Sequence, residues 1–231
     1  MNNKSLNTRT DSMTSFIVMD VLERAQALEA QGRDIIHMEI GEPDFPTPEP
    51  IKAAALKALA ADDTHYTHSL GKIELREEIS RYYWNNYRVN ISPDQIIVTS
   101  GTSPALLLIL SVLIETGQSV ILPDPYYACY PNFIKYLGAD PLYVPVKEGD
   151  GFKYRTETVE KSITPQTKAI MVNSPSNPCG TVFTADEFRA ICDLGPIIIS
   201  DEIYNGLIYE GTEHSVLQFN SDAFVINGFS K

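Results

Sequence analysis

Two ionisable residues stand just after apolar runs, where their side chains could take part in chemistry. Asp201 follows the run Ile197–Ser200, and an ionised carboxylate at the end of a buried strand needs a cation or hydrogen-bond donors. Lys231 follows the run Ala223–Asn227 after three residues, and a neutral lysine amine can form a Schiff base with a carbonyl group. Each residue also has an ordinary alternative, because Asp is a favoured helix N-cap and most lysines are exposed.

Two further polar segments could bind a ligand through backbone and amide groups. The segment SGTSPAL (residues 100–106) places Pro104 in the first turn of a predicted helix, whose N-terminal N–H groups could hold a phosphate. The segment NSPSNPCG (residues 173–180) contains two prolines and a glycine, which predict a rigid turn that holds the Asn177 amide over the strand ends. A capped helix without a ligand and an Asx-type turn are the corresponding ordinary alternatives.

The elements that position these residues alternate between short apolar runs and helix-like segments. Predicted strands cover Gln95–Thr99, Ser119–Leu122, Pro141–Val146, Ala169–Asn173, Ile197–Ser200 and Ala223–Asn227. Predicted helices cover Asp20–Gln31, Pro50–Ala61, Pro104–Glu115 and Ala185–Asp193, with another marked by Leu75, Ile79 and Tyr82. This alternation predicts an α/β fold, a mostly parallel sheet with helices on both faces. Ligands in such sheets bind at the carboxyl ends of the strands, where the four polar segments fall.

Charge and composition exclude several classes of function. The chain has 231 residues and a formal net charge of −12, without a Lys/Arg block, so nucleic acid is not an expected partner. The longest apolar run, Ala105–Ile114, is shorter than the roughly 20 residues that span a bilayer, so no membrane is expected either. Three cysteines without CxxC spacing predict free thiols and a cytoplasmic location. His65 and His68 lack companion ligands, so no metal site is predicted.

The four polar segments together predict one ligand that carries a phosphate, a cationic ring nitrogen, a hydroxyl-type oxygen and an aldehyde, which is the chemistry of pyridoxal 5'-phosphate. The chain contains, in this order, the motifs GEPDFPTP, HYTHSLG, SGTSPAL, DPYYACYPNF, NSPSNPCG, SDEIYNGLIY and NGFSK. In order and spacing these motifs resemble the class I/II aminotransferases, pyridoxal-phosphate enzymes of fold type I in the aspartate aminotransferase superfamily. The resemblance runs from about Asp20 to the last residue.

The resemblance implies a role for each candidate site residue. Lys231 would form the Schiff base and move the proton between the substrate α-carbon and the cofactor, while Asp201 would keep the pyridine nitrogen protonated. Tyr204 and Asn177 would bond the phenolic oxygen of the cofactor, and Tyr127 would stack on its ring. The remaining positions would bind phosphate or substrate: Gly101, Thr102 and Ser103 for the phosphate, Ser230 as a weaker phosphate candidate, Tyr66 for the phosphate in the neighbouring subunit, and Gly41 for the substrate carboxylate.

The resemblance also implies an activity and partners. Such an enzyme moves the amino group of an L-amino acid to a 2-oxo acid by a ping-pong route, and it is a homodimer with shared active sites. A pyridoxal-phosphate-dependent carbon–sulfur β-lyase is an alternative, because it would use the same lysine, aspartate and tyrosine. An inactive fragment that acts only in binding is a second alternative, which failure to bind the cofactor would favour.

The sequence departs from the family pattern in three places. Cys179 stands where relatives most often have threonine, and Gly228 stands where many have a phosphate-binding serine. Complete relatives continue well past the Schiff-base lysine, with two ligand-binding arginines and a small domain. The resemblance therefore implies an N-terminal arm and small-domain segment in residues 1–45, an incomplete pyridoxal-phosphate-binding large domain in residues 46–231, and an absent C-terminal small domain. A molecule of this extent alone is expected to be unstable and inactive.

Overall fold

A computed structural model describes residues 8–231, and their contacts divide into two compact units. Of the described residues, the larger unit comprises residues 8–40 and Ser100–Ser230, and the smaller unit comprises Gly41–Thr99 and Lys231. The helices are α1 (Ile17–Glu29), α2 (Glu49–Ala60), α3 (Ile73–Tyr87), α4 (Thr102–Leu113), α5 (Tyr130–Tyr136), α6 (Thr156–Ser162) and α7 (Ala185–Cys192). The strands are β1 (Ser119–Asp124), β2 (Asp140–Pro145), β3 (Thr167–Asn173), β4 (Ile197–Asp201) and β5 (Phe224–Ile226).

All five strands belong to one sheet in the larger unit. Their order is β2-β1-β3-β4-β5, and every neighbouring pair is parallel. A parallel sheet requires crossover connections, which the intervening helices provide. The predicted mostly parallel sheet is confirmed.

Side chains of alternate residues along the central strands fill two separate apolar clusters, one on each face of the sheet. On β1, Val120 and Leu122 join the cluster that contains Leu110 of α4 and Ile134 of α5. The intervening Ile121 joins the other cluster, with Val159 from α6 and Phe188 from α7. Because successive strand residues point to opposite faces, this division places helices on both sides of the sheet, as the apolar runs predicted.

The segment before α1 crosses the surface of α5 and is tied to it by side chains. The Asn132 amide pairs with both backbone groups of Thr14: its Oδ1 accepts from the Thr14 N–H at 3.2 Å, and its Nδ2 donates to the Thr14 carbonyl at 2.8 Å. Lys135 donates to the Ser12 carbonyl at 3.2 Å. We refer to residues 12–16 as the amino-terminal strap. Its last residue, Phe16, meets the ring of Tyr127 edge-on at 6.0 Å between centroids.

In the smaller unit a buried arginine joins α3 to a short 3-10 helix, Pro93–Gln95. Arg76 is 4% exposed, and its guanidinium donates to the Gly71 carbonyl at 3.2 Å, to the Pro93 carbonyl at 2.8 Å and to the Asp94 carboxylate at 3.3 Å. The Val98 N–H donates to the Leu70 carbonyl at 2.9 Å, which closes the loop around Gly71. These bonds satisfy the buried cation with three acceptors.

Gly71 is a position that tolerates no side chain, and this gives a stability prediction. Its φ is +95°, and a Cβ there would lie 2.7 Å from the Cβ of Val98. Gly71→Ala should therefore lower the free energy of unfolding by about 2 to 4 kcal/mol, through backbone strain and overpacking together. Gly32→Ala is the matched control, because Gly32 has a φ of +82° but a Cβ there would have no neighbouring atom within 4 Å. Equal losses for both variants in urea denaturation would contradict the steric contribution.

One predicted strand is wrong, because Gln95–Thr99 forms no ladder. Gln95 ends the 3-10 helix, which Ser92 starts with a reciprocal cap, and the following residues are extended without a neighbouring strand. Their β-branched side chains favour an extended backbone, but a strand also needs a partner with free backbone groups. The other five predicted strands are confirmed, with ends shifted by one or two residues.

The predicted helices are confirmed, with boundary shifts of up to three residues, and two short helices were not predicted. α5 and α6 have seven residues each, which is too short to display an apolar period in the sequence. α4 begins at Thr102, two residues before the predicted start at Pro104. Among residues 8–231, no helix combines the length and the apolar character needed to cross a bilayer.

Candidate active site

The carboxyl ends of β3, β4 and β5 lie side by side at one edge of the sheet. The strand register aligns Asn173 with Asp201, and Asp201 with Ile226. The loop after β3 carries Asn177, and the turn after β4 carries Tyr204. The parallel sheet thus gathers residues that are far apart in the sequence, at the edge where ligands bind in this architecture.

Asp201 is a buried carboxyl group held by two donors. Its residue is 7% exposed; the Tyr130 hydroxyl donates to Oδ2 at 2.6 Å, and the Ile203 N–H donates to Oδ1 at 3.2 Å. Burial raises the pKa of Asp201, and the two hydrogen bonds offset this only in part. Among the described residues of the larger unit, no cationic side chain forms an ion pair with it. The carboxylate therefore suits a cationic ligand group.

The turn after β4 distinguishes between the two predicted roles of Asp201, a ligand-binding carboxylate and a helix N-cap. Residues 203–206 form a turn rather than a helix, so Asp201 is not a helix N-cap. The bond from the Ile203 N–H instead closes a local turn around the carboxylate. The polar end of β4 is thus available for a ligand.

The Asn173 side chain links the end of β4 to the loop that carries Asn177. It is 5% exposed, its Nδ2 donates to the Asp201 carbonyl at 2.9 Å, and its Oδ1 accepts from the Asn177 N–H at 2.6 Å. A buried amide with both ends bonded fixes its neighbours rigidly. Asn173 therefore sets the position of the Asn177 turn relative to Asp201.

Asn177 and Tyr204 form a pair of polar side chains beside Asp201. The Asn177 Nδ2 donates to the Tyr204 hydroxyl oxygen at 3.1 Å. The turn that carries Asn177 is closed by a bond from the Gly180 N–H to the Ser176 carbonyl at 2.8 Å, and Gly180 takes a φ of +67°, which favours glycine. An amide N–H and a phenol O–H at this spacing could both donate to one ligand oxygen.

Tyr127 lies half-buried beside the same edge. Its ring meets that of Tyr130 edge-on at 5.3 Å between centroids, in addition to Phe16 of the strap. Burial raises the pKa of Tyr127, and its hydroxyl also meets the Cys129 side chain. The ring is therefore a neutral aromatic surface held between two other aromatic side chains.

The N-terminus of α4 points to the same region through Gly228. A Cβ at Gly228 would lie 3.0 Å from Cδ1 of Ile203 and 3.6 Å from Cγ2 of Thr102, so these three residues pack closely. Gly101 precedes the helix with a φ of +122°, a conformation that side chains disfavour. Ser103 is the second residue of α4, and Ser230 lies exposed beyond Gly228. A helix of this length offers a positive N-terminal dipole to an anion such as phosphate.

The smaller unit holds the remaining candidates, Gly41, Tyr66 and Lys231. The Lys231 Nζ donates to the Gly41 carbonyl at 2.7 Å, so the structure brings these two together. The Tyr66 side chain is fully exposed. An exposed phenol is available to a group outside its own unit.

A small pocket of about 20 Å³ lies between the ends of β1, β2 and β3, with mostly apolar walls. Tyr127, Tyr130 and Asn177 line it together with Cys179 and Phe183. Burial raises the pKa of the Cys179 thiol, which keeps it protonated near neutral pH. At this departure from the motif pattern that the sequence resembles, the thiol thus acts as a small apolar side chain in the pocket wall rather than as a nucleophile.

Glu202, next to Asp201, is a second buried carboxyl group. It is completely buried, and its Oε1 accepts from the hydroxyls of Ser200 and Ser215 and from the Val216 N–H at 2.8 to 3.2 Å. Burial nevertheless raises the pKa of Glu202 to about 7. Glu202 therefore fastens the turn after β4 to the 3-10 helix Val216–Gln218 from inside the protein.

The buried Glu202 predicts a pH-dependent stability. A pKa of about 7 in the folded state, against 4.5 for an ordinary glutamate, means that the folded protein holds this proton more tightly. Its stabilising effect is complete below about pH 4.5 and is lost as the pH rises through about 7, a difference of roughly 3 kcal/mol. Glu202→Gln should remove this component, which urea denaturation of both proteins at pH 5 and pH 8 would measure.

Glu187 supplies the matched control for this measurement. Partial burial raises its pKa, but bonds from the Thr184 N–H and the Lys153 ammonium outweigh this effect and lower it overall. The stability contributed by Glu187 is lost only as the pH falls below about 4.5, so Glu187→Gln should leave the difference between pH 5 and pH 8 unchanged. If Glu202→Gln and the wild type lose stability in parallel between pH 5 and pH 8, Glu202 is not the group responsible.

Sequence reasoning missed Tyr130, Asn173 and Glu202. Asn173 and Glu202 lie inside the motifs NSPSNPCG and SDEIYNGLIY, and Tyr130 lies inside DPYYACYPNF, but no role followed from spacing alone. The only available signal was a polar residue at or beside the end of an apolar run, which Asn173 shares with Asp201. Their contacts arise from strand register and helix packing.

Comparison with known proteins identifies similar chains over nearly the whole length. A model of the family described as "Aminotransferase class I and II" matches residues 33–231. The (5-formylfuran-3-yl)methyl phosphate transaminase of Methanocaldococcus jannaschii is 45% identical over 229 residues, which cover 98% of this chain and 60% of that protein. The aspartate aminotransferase of Geobacillus stearothermophilus is 38% identical over 235 residues, again 98% of this chain and 60% of the relative.

A solved structure shows the same arrangement of elements. Aspartate aminotransferase from Thermus thermophilus with maleate superimposes with a TM-score of 0.95 at 34% identity, over 99% of this chain and 61% of that one. The chain thus spans about 60% of the length of the curated relatives that it matches.

Proposed function

The chain belongs to the class I and II aminotransferase family, and from this premise we propose that the protein is a pyridoxal-phosphate-dependent aminotransferase. The family and its fold type I architecture are those predicted from the motifs. Members of the family generally depend on pyridoxal phosphate. The cofactor, the substrates and the site roles in this protein are proposals, as is the activity of the whole protein.

The observation that carries the proposal is the environment of Asp201. A buried carboxylate has hydrogen-bond donors on both oxygens but no cationic partner among the described residues of the larger unit. The Asn177–Tyr204 pair lies beside it, and these two donors suit a phenolic oxygen on the same ring. A protonated pyridine nitrogen and an adjacent ring oxygen match this donor and acceptor pattern.

Each remaining feature of the cofactor has a counterpart in the chain. Gly101, Thr102 and Ser103 at the start of α4 would hold the phosphate, and Ser230 is a weaker candidate for the same group. Tyr127 would cover the ring as a neutral aromatic surface. The bound cofactor supplies an electron sink that stabilises negative charge at the substrate α-carbon.

Lys231 would carry the covalent and proton-transfer work. Its Nζ would form a Schiff base with the cofactor aldehyde, with release of water. Once the substrate amine has displaced it, Nζ would accept the proton from the substrate α-carbon and donate it to the former aldehyde carbon of the cofactor. Its bond to the Gly41 carbonyl supports a location of both residues near the substrate. Gly41 would then approach the substrate carboxylate through its backbone.

We further propose a homodimer in which Tyr66 reaches the phosphate site of the neighbouring subunit. Its fully exposed side chain supports a role outside its own unit. The division into an N-terminal arm in residues 1–45 and a large domain in residues 46–231 stays a prediction. The three cysteines are free thiols, which supports a cytoplasmic location.

The substrates we propose are an L-amino acid and a 2-oxo acid, which react in turn by a ping-pong route. Aspartate is a reasonable first donor, because similar proteins are named aspartate aminotransferases. The formylfuran phosphate that appears in the name of another relative is a second compound to test. Both names describe those proteins and guide only the choice of assay.

The test is a binding and half-reaction experiment on the full-length protein. Pyridoxal phosphate should produce an absorbance band near the visible edge, and borohydride reduction followed by peptide mass spectrometry should locate the adduct at Lys231. Amino acids are then added one at a time, and transamination is detected as 2-oxo acid formed from the donor. Absence of cofactor binding by the folded protein would overturn the proposal.

The same experiment separates the alternative chemistry. A β-lyase would release pyruvate and ammonia from cystathionine without any added 2-oxo acid. An aminotransferase would need the 2-oxo acid to turn over more than once. Multiple turnovers on cystathionine alone would therefore favour the lyase.

A further inference from the structure

Tyr130 is the residue most directly joined to Asp201, and it has no role in the function proposed above. It is 2% exposed and begins α5, with its ring packed in the apolar cluster that contains Leu110 and Ile134. Its hydroxyl donates to the Asp201 Oδ2 at 2.6 Å, although 71 residues separate the two in the sequence. A core position that needed only volume could hold phenylalanine, so the hydroxyl calls for its own explanation.

The bond between Tyr130 and Asp201 has the character of a charge-assisted hydrogen bond. Bonds from a hydroxyl to a carboxylate are short, and 2.6 Å lies in their usual range. Burial and the neighbouring Asp201 charge raise the pKa of Tyr130, so the phenol remains a neutral donor. Donation from Tyr130 in turn lowers the pKa of Asp201 against the opposite effect of burial.

The orientation of the Asp201 carboxyl group also depends on Tyr130. Oδ1 receives the Ile203 N–H, which belongs to the local turn, and Oδ2 receives the Tyr130 hydroxyl, which belongs to a helix on one face of the sheet. Two donors from different elements fix the carboxyl plane. Titratable groups near it include the phenols of Tyr127, Tyr130 and Tyr204. The adjacent Glu202 is bonded instead to Ser200, Ser215 and Val216.

We propose that Tyr130 is a positioning residue that keeps the Asp201 carboxylate ionised and fixed in orientation, as the protonated ring nitrogen of the cofactor requires. The inference rests on the function proposed above. It predicts that Tyr130 affects the cofactor only through Asp201, and that the hydroxyl rather than the ring is responsible.

Tyr130→Phe in the full-length protein is the test, because it removes one oxygen and keeps the ring. In the cofactor-free protein, carbon-detected NMR of the aspartate side chains should show that Asp201 titrates at higher pH in the variant; Asp201→Asn assigns the resonance. Pyridoxal phosphate should bind the variant about tenfold more weakly, in line with the loss of one bond to a charged group.

Tyr154→Phe is the matched control. Tyr154 is also a buried phenol, and its hydroxyl donates to the Met171 carbonyl at 3.0 Å, so the substitution deletes a hydrogen bond to a neutral acceptor in the same unit. The control variant should leave the Asp201 titration unchanged. If Tyr130→Phe leaves it unchanged as well, or if both variants move it equally, the inference is wrong.

A second measurement needs no variant and guards against a failure of Tyr130→Phe to fold. In the wild type, the Tyr130 hydroxyl proton should resonate downfield and shift with the same midpoint as the Asp201 carboxyl carbon. A shift with a different midpoint would overturn the inference. Failure of the wild type to bind pyridoxal phosphate would instead overturn the proposed function, whatever the Tyr130 and Asp201 titrations show.

Discussion

Lys231→Ala in the full-length protein should lower the rate of amino transfer by about 10⁴-fold or more. The substitution removes the only group in the proposed site that can both bind the aldehyde and move the α-proton, and acid–base catalysis alone contributes up to about 10⁴-fold. Lys231 is exposed, and its Nζ donates to the backbone carbonyl of Gly41 rather than to a core group, so the variant should fold like the wild type. The measurement is the single-turnover half-reaction with a saturating amino acid.

Two further substitutions separate nucleophilic chemistry from simple charge. Lys231→Arg keeps a cation that can donate to the Gly41 carbonyl, but a guanidinium stays protonated and does not attack aldehydes. It should be as inactive as the alanine variant. Lys57→Ala, at an exposed position of α2, should retain full activity. Substantial activity in either Lys231 variant would show that another residue performs the chemistry.

Asp201→Asn should weaken catalysis while leaving the folded protein intact. Asparagine keeps the size and one acceptor oxygen but has no charge to hold a proton on the ring nitrogen. Loss of one partner of a buried ion pair costs about 3 to 5 kcal/mol, which corresponds to a rate decrease of roughly 10²- to 10⁴-fold. Steady-state kinetics with saturating cofactor would measure the decrease.

Although Asp201→Asn should lower the catalytic rate, it should not lower the free energy of unfolding. In the cofactor-free protein, burial raises the pKa of Asp201, so an uncharged side chain removes an unfavourable charge from the core. The cofactor-free variant should therefore be at least as resistant to urea as the wild type near neutral pH. A variant that was both unstable and inactive would point to a structural role for Asp201.

The sheet was predictable from the sequence because its strands carry their own signal. Runs such as Ala169–Asn173 and Ile197–Ser200 are apolar at nearly every position. This pattern is typical of strands in a parallel sheet, because both faces of such a sheet are buried. Gln95–Thr99 has the same composition but no strand beside it, and the sequence contains no local sign of that difference. Pairing depends on the whole fold, whereas propensity is local.

Site residues could be predicted from the sequence where the residue type alone implies a chemical role. They could not be predicted where the role depends on a tertiary contact. A carboxylate after an apolar run needs a partner wherever it lies, so Asp201 could be selected from the sequence. Tyr130 is one of twelve tyrosines, and nothing in its neighbourhood along the chain indicates that its hydroxyl reaches β4. The assignments of the site residues stay predictions until the variants above are measured.

The amino-terminal strap has a consequence for synthesis on the ribosome. Thr14 is bound by the side chain of Asn132, 118 residues later in the chain. Ribosomes add about 5 to 20 residues per second, so Thr14 is added to the chain roughly 6 to 24 s before Asn132. The strap is therefore made before its binding partner on α5, and its contacts with Asn132 and Lys135 form only after α5 has been synthesised.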